Sequence, residues 1–227
     1  MVYVDLRRRW MLGAGATAGL IAALPALAQT DAAKKSPMPA SERLMRDNAL
    51  TSRVLLLYAA AERRLGQGED LESGIFLQAA EVMRDFVHGY HEKIEEEDVF
   101  PVFKTAGRMV ELVTVLQSQH AAGRQLTDKI LAAAPGIANS DQRKALSDAI
   151  HATVTLYGPS LARENTDLLP TLRRLMTPTE FDALAQTLEK AESEKLGADG
   201  FEKAAKKVEA IEKKMGTHDL SQFVPKT

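Results

Sequence analysis

From residue 41 onward, apolar side chains return every three or four positions, the period of a helix that buries one side. The first run starts near Ser41 and turns Leu44, Asn48, Thr51, Leu55, Tyr58 and Leu65 inward. After Gly66-Gln67-Gly68 a second run, from about Leu71 to Val99, places Met83, Val87, His91 and Glu95 on neighbouring turns, and Pro101 is expected to stop it. The third is the most regular: Met109, Val113, Leu116, His120, Gly123, Thr127, Ile130 and Ala134 alternate by fours and threes until Pro135-Gly136. A fourth begins near Asp141 and faces Leu146, Ile150, Thr153, Tyr157, Ser160 and Glu164 inward, with Pro159 expected to bend it. No segment shows the alternating β-branched pattern of a strand.

These runs, alternating in direction and joined by short turns, predict an all-α fold: an up-down-up-down four-helix bundle over residues 41–176. Residues 177–227 read as an extension of two additional C-terminal helices. Thr177-Pro178-Thr179-Glu180 combines a capping threonine, a first-turn proline and a glutamate that caps back, which starts a fifth helix to about Leu196. The sixth, Phe201 to Met215, is charged nearly all round and reads as a solvated appendage or a dimer contact.

Every stripe of the bundle carries a polar residue, and burying such groups without partners costs roughly 1–3 kcal/mol each. Their arrangement repeats. His91-Glu-Lys-Ile-Glu95-Glu-Glu-Asp98-Val-Phe-Pro101 recurs in register as Ser160-Leu-Ala-Arg-Glu164-Asn-Thr-Asp167-Leu-Leu-Pro170, with the histidine replaced. Asn48 precedes the first copy and His120 the second, each on an earlier helix, so the unit is a helix pair used twice. A His four residues ahead of a Glu puts imidazole and carboxylate on one helical face, where both can grip one cation. A purely hydrogen-bonded polar layer is the plainer account. Four ligand-type residues at repeat-related positions, His91, Glu95, His120 and Glu164, favour a metal.

The start of the chain changes where this would happen. Arg7-Arg8-Arg9, an apolar stretch from Trp10 to Leu24, Pro25 and Ala26-Leu27-Ala28 read as a cleavable export signal over residues 1–28, followed by a polar linker at 29–40. The paired arginines and weakly hydrophobic core resemble a twin-arginine signal, although Trp10-Met11-Leu12 departs from its usual sequence. A periplasmic or secreted protein with no stable membrane anchor after processing is expected. Removing that segment leaves 26 basic against 30 acidic side chains, which excludes a basic nucleic-acid footprint. The absence of cysteine excludes thiolate sites, so any metal is held by nitrogen and oxygen.

With Leu44 to Tyr58, His91 to Pro101, Gln119-His120 and Tyr157 to Glu164 in view, the chain resembles the hemerythrin-like proteins with an HHE cation-binding domain, over about residues 41–176. Similar members, including di-iron proteins associated with repair of iron centres under nitrosative stress, place His on helix one, His-x-x-x-Glu on helix two, His on helix three and His-x-x-x-Glu on helix four. Carried over by position, the resemblance implies His91, Glu95, His120 and Glu164 as ligands, with Asn48 and Ser160 where the family has His. It implies that one iron position is emptied and the other spared. The expectation is one iron, or another divalent metal such as manganese or zinc, with a small diatomic molecule as a candidate ligand.

His88, one turn before His91, reads as a partly exposed surface residue, or else as a stand-in for a missing imidazole. His151 and His218 read as surface residues, Glu96, Glu97 and Asp98 as a solvated acidic face, and Tyr58, Tyr90 and Tyr157 as core with a polar tip. No nucleophile elbow or phosphate loop appears, so no enzyme activity is assigned. The competing expectation is a metal-free bundle acting as a structural or partner-binding module.

Overall fold

In the computed structural model, which describes residues 38–225, the expected stripes become four long helices. They are α1 (Ala40–Gly66), α2 (residues 73–106), α3 (Val110–Ala133) and α4 (residues 140–175). Two more follow, α5 (Pro178–Leu196) and α6 (Gly200–Met215), and no strand occurs among the described residues. The all-α bundle with two C-terminal helices is therefore borne out. Leu44, Asn48, Thr51, Leu55, Tyr58 and Leu65 are all buried, as are Leu146, Ile150, Thr153, Tyr157, Ser160 and Glu164. Asn139 caps α4 by accepting from the N–H groups of Asp141 and Gln142, and Thr177 and Glu180 form the expected capping box at α5. Residues 1–28, where an export signal is expected, lie outside the described residues.

Two expectations fail for instructive reasons. Pro101 does not stop the second helix. Glu95–Val99 widens into a π-helical turn, and an α segment, Phe100–Ala106, continues beyond it with Pro101 in its first turn. A proline clashes with the carbonyl four residues back in a regular helix; in a first turn its missing N–H is no loss. The same device recurs in α4, where Glu164–Leu168 is π-helical and Pro170 opens the continuation Leu169–Leu175. The sequence repeat is thus matched by a backbone irregularity in these two segments, each of the two π turns beginning at a candidate ligand, while a further π stretch, Met83–His91, ends at another.

The sixth helix is not a solvated appendage. Ala204, Val208, Ile211 and Met215 form a buried stripe, with Val208 and Ile211 fully inaccessible. Burying each such side chain is worth about 1.5–3 kcal/mol, more than enough to dock a helix whose outward face is lysine-rich. Arg53 adds a paired contact to Glu212, at 2.8 and 2.5 Å.

Candidate metal centre

Midway along the bundle four helices each present polar groups to one small space. Glu95 is 0% exposed, and neither of its carboxylate oxygens has a hydrogen-bond partner. His91 Nε2 lies 3.7 Å from Oε1 of that carboxylate and His120 Nε2 lies 3.5 Å from Oε2. Those distances are long for hydrogen bonds but close to the spacing of atoms sharing one ion: ligand bonds of roughly 2.0–2.1 Å separate tetrahedral ligands by about 3.4 Å. Glu164, from α4, completes a trio with His91 and Glu95 in which the ligand atoms lie within 4.8 Å of one another. A cavity of about 10 Å³, lined by these four residues among others, leaves room for one water-sized body.

The substituted positions take hydrogen-bonding roles. Asn48 Nδ2 donates to Glu164 Oε2 at 3.0 Å and to Asn165 Oδ1 at 3.1 Å, while Asn48 Oδ1 stands 2.8 Å from His91 Nε2. Ser160 donates toward Gln119 Oε1 and the Leu156 carbonyl, both at 2.8 Å. One replacement therefore adjoins His91 and the other lies beside the His120 helix.

Behind each imidazole stands a carboxylate held by an arginine. His120 Nδ1 is 3.0 Å from Glu96 Oε1, which also accepts from Arg124. His91 Nδ1 is 3.7 Å from Asp47 Oδ2, and Asp47 Oδ1 accepts from Arg46 at 2.9 Å. Arg46 also reaches Glu192 of α5 at 2.8 Å. At His120 the carboxylate at Nδ1 fixes the ring and leaves Nε2 for a metal, whereas at His91 the Asp47 contact is an ion pair without a hydrogen bond. Both Nε2 atoms face Glu95, and Phe100 stacks on His120 at 5.5 Å.

The sequence reading missed several of these residues. Glu96, in the π turn, is half-buried against His120 and is not part of a free acidic face. Glu92, 1% exposed, accepts from Tyr157 at 2.6 Å and lies 3.1 Å from both Arg124 and His88. His88 is buried, contrary to expectation; its Nε2 pairs with Thr127 at 2.8 Å and its Nδ1 faces Glu92, so it buttresses and does not stand in for a missing imidazole. His151 is exposed, beside Glu62. Tyr157 has a polar partner as well as a core position, and burial together with Glu92 raises its pKa. Asp47 carried one signal, its place beside Asn48; Arg124 carried another, one turn after His120.

Electrostatics mark the space as short of positive charge. Burial pushes Glu95 up against the pull of both imidazoles, and burial plus the nearby Glu95 pushes Glu164 well above the usual carboxylate range. Burial alone would lower His91, but Glu95, Asp47 and Glu164 outweigh it and hold the imidazole at about 9. Glu96 goes the other way: burial would raise it, yet His120 and Arg124 bring it to about 2. Two unclaimed oxygens on a fully buried carboxylate, two imidazoles aimed at them and a second carboxylate form a donor set of nitrogen and oxygen that fits a divalent ion.

A family comparison decides what kind of protein carries this arrangement. Residues 40–172 match the model of the hemerythrin HHE cation-binding domain. The chain belongs to that family. Uncharacterized proteins of Mycobacterium tuberculosis (strain H37Rv) and Mycobacterium bovis are each 38% identical to it over 191 residues, covering 83% of this chain and 75% of theirs. No solved structure matches the chain significantly. The hemerythrin domain ends within α4, so α5 and α6 lie beyond the matched span.

Proposed function

We propose that this hemerythrin-family chain is an exported protein that binds one divalent metal, iron foremost, through His91, Glu95, His120 and Glu164, and presents it to a small diatomic ligand. One observation carries the reading: a completely buried carboxylate, Glu95, lacks hydrogen bonds while two imidazole nitrogens approach its two oxygens. An unpaired buried anion is costly, and a cation compensates it. Glu95 and Glu164 together balance one divalent charge, whereas Asn48 and Ser160 supply only weak donors for another. Bound iron(II) would supply a redox-active Lewis acid; Glu96 and Asp47 orient the imidazoles, and the apolar wall with Phe100 restricts solvent. Export rests on the leader at residues 1–28, and mass spectrometry of periplasmic protein should find a mature start near Gln29.

The metal-free reading draws on Asn48, which bonds both His91 and Glu164 and partly satisfies the layer without a metal. Metal analysis of protein purified without chelator separates the two: one equivalent per chain supports the proposal, while none after incubation with iron(II), manganese(II) and zinc supports the partner-module reading. The double variant Asn48→His, Ser160→His should then raise uptake from one metal to two, since each replacement lies on an inward stripe. A folded double variant with unchanged metal content would mean that the core has closed around the substituted residues.

A further inference from the structure

A sizeable pocket lies away from the metal ligands. α1, α6 and the C-terminal turn Leu220–Phe223 surround a pocket of about 580 Å³, within the roughly 300–1,000 Å³ typical of small-molecule sites. Leu57 and Ala60 form its buried floor, and Leu56, Leu220 and Phe223 its walls. Those walls are unusually exposed for apolar side chains: Leu56 is 70%, Leu220 77% and Phe223 57% accessible, and Val224, next along the chain, is 67%. Exposed apolar surface gathered at one concavity marks a contact site, in contrast to leucines scattered singly.

Charge narrows the occupant. Arg43, Arg46, Arg53 and Arg64 of α1 each have a carboxylate partner. Within the pocket lining, Arg53 and Glu212 neutralise one another. Arg63 is the remaining arginine of α1, lines the pocket and has no carboxylate partner among the described residues; His218 lines it too. The site thus offers an apolar enclosure with one uncommitted guanidinium, whose planar fork suits a carboxylate.

We infer that this pocket is a second ligand site, independent of the metal centre, for a free fatty acid: an acyl chain against Leu56, Leu57, Ala60 and Phe223 with its carboxylate on Arg63. A partner peptide or a second copy would need a longer continuous apolar surface than a pocket closed on one side by the chain's own terminal turn.

The test is calorimetric titration of the intact protein with dodecanoate below its critical micelle concentration, with dodecanol as the uncharged comparison. Expected is saturable one-to-one binding of dodecanoate. Arg63→Ala should weaken dodecanoate about tenfold and leave dodecanol unchanged, since it removes only the charge contact. Leu56→Glu should weaken both at least tenfold by placing a charge against the chain; Leu56 is solvent-exposed and Glu is a good helix former, so the fold should survive, as a thermal melt checks. No binding, or binding indifferent to both variants, overturns the inference. So does a protein that binds anionic phospholipid vesicles but not monomeric dodecanoate, or one that is dimeric in light scattering and becomes monomeric with Leu56→Glu. Metal content plays no part in these readouts, so they stand or fall separately from the metal reading.

Discussion

The two imidazoles of the centre are built alike and behave differently. Each has a carboxylate at Nδ1 and an arginine on that carboxylate: His120 with Glu96 and Arg124, His91 with Asp47 and Arg46. At His120 the Nδ1 contact is a full hydrogen bond of 3.0 Å, and Nε2 faces Glu95 at 3.5 Å. At His91 the Nδ1 contact is looser, 3.7 Å, and Nε2 is already engaged with Asn48 at 2.8 Å. Surrounded by Glu95, Asp47 and Glu164, His91 holds a proton up to about pH 9. The difference teaches that a buried anionic layer needs a cation of some kind. On the His91 side the metal-free protein supplies a proton; on the His120 side the ring is fixed by its shorter Nδ1 contact and presents Nε2 to the cavity.

The largest effect should come from removing the better-presented ring. His120→Ala is expected to abolish tight metal uptake, measured as metal per chain after desalting, because it deletes one of two imidazoles and its guided geometry. His151→Ala, exposed and remote, should change nothing. Equal loss in both, or in neither, would break the assignment of His120. Next comes the backing carboxylate. Glu96→Gln should lower metal affinity by about 10–100-fold, the usual cost of losing such a partner. Asp47→Asn should cost less, given its longer contact. Competition titrations with a chromogenic chelator would rank the pair, and a reversed order would mean that His91 is the principal ligand.

The helical stripes were legible because core burial imposes a period on the residues themselves, and every inward position from Leu44 to Leu65 in the first helix proved buried. The ligand-type residues were legible by repetition, since only a shared spatial role places a His or Ser four residues before a Glu in two corresponding segments. What stayed hidden depends on features that leave no such trace. The π turns at Glu95–Val99 and Glu164–Leu168 are shifts of backbone hydrogen-bond register, and a proline two residues beyond each looked like a stop signal. Glu92 beside His91 and Glu96 in the acidic run carry no spacing signal that marks them as turned toward the site. The link from Glu192 of α5 through Arg46 to Asp47 spans more than 140 residues of sequence, and only tertiary contact shows that the C-terminal helices reach the back of the site.

Acidity acts through His91, with opposite signs for the two states of the protein. In the metal-free protein His91 is raised from 6.5 to about 9, so its contribution to stability is complete below 6.5 and fades as pH rises through 9. A metal competes with that same proton, so apparent metal affinity should climb with pH over the interval, by up to about tenfold per unit for one proton displaced. Thermal melts at pH 6.5 and 9 should therefore show the metal-free form losing stability and the loaded form gaining relative to it. Melts that shift together in both forms would show that His91 is not among the groups the metal displaces.

The smallest expected effect concerns the wall shared by the two halves, where Tyr157 of α4 crosses to Glu92 of α2. It reaches there past Gly123 on α3: a Cβ added at that glycine would lie 2.0 Å from the tyrosine oxygen and 2.7 Å from Cζ. Those contacts are with the stiff end of a buried ring, so the tyrosine must move as a whole and surrender its 2.6 Å bond to Glu92. Gly123→Ala improves helix propensity by about 1 kcal/mol, while overpacking a core typically costs about 1–3 kcal/mol. The lost hydrogen bond adds to the second side, so a net destabilisation of about 1–2 kcal/mol is expected, read as a fall in melting temperature of a few degrees. Adding Tyr157→Phe to the variant should cost little further, because the bond it removes is already broken. A Gly123→Ala protein as stable as the wild type, still sensitive to Tyr157→Phe, would mean that α3 and α4 separate to accommodate the methyl group and that the Glu92 wall does not hold the two halves in register.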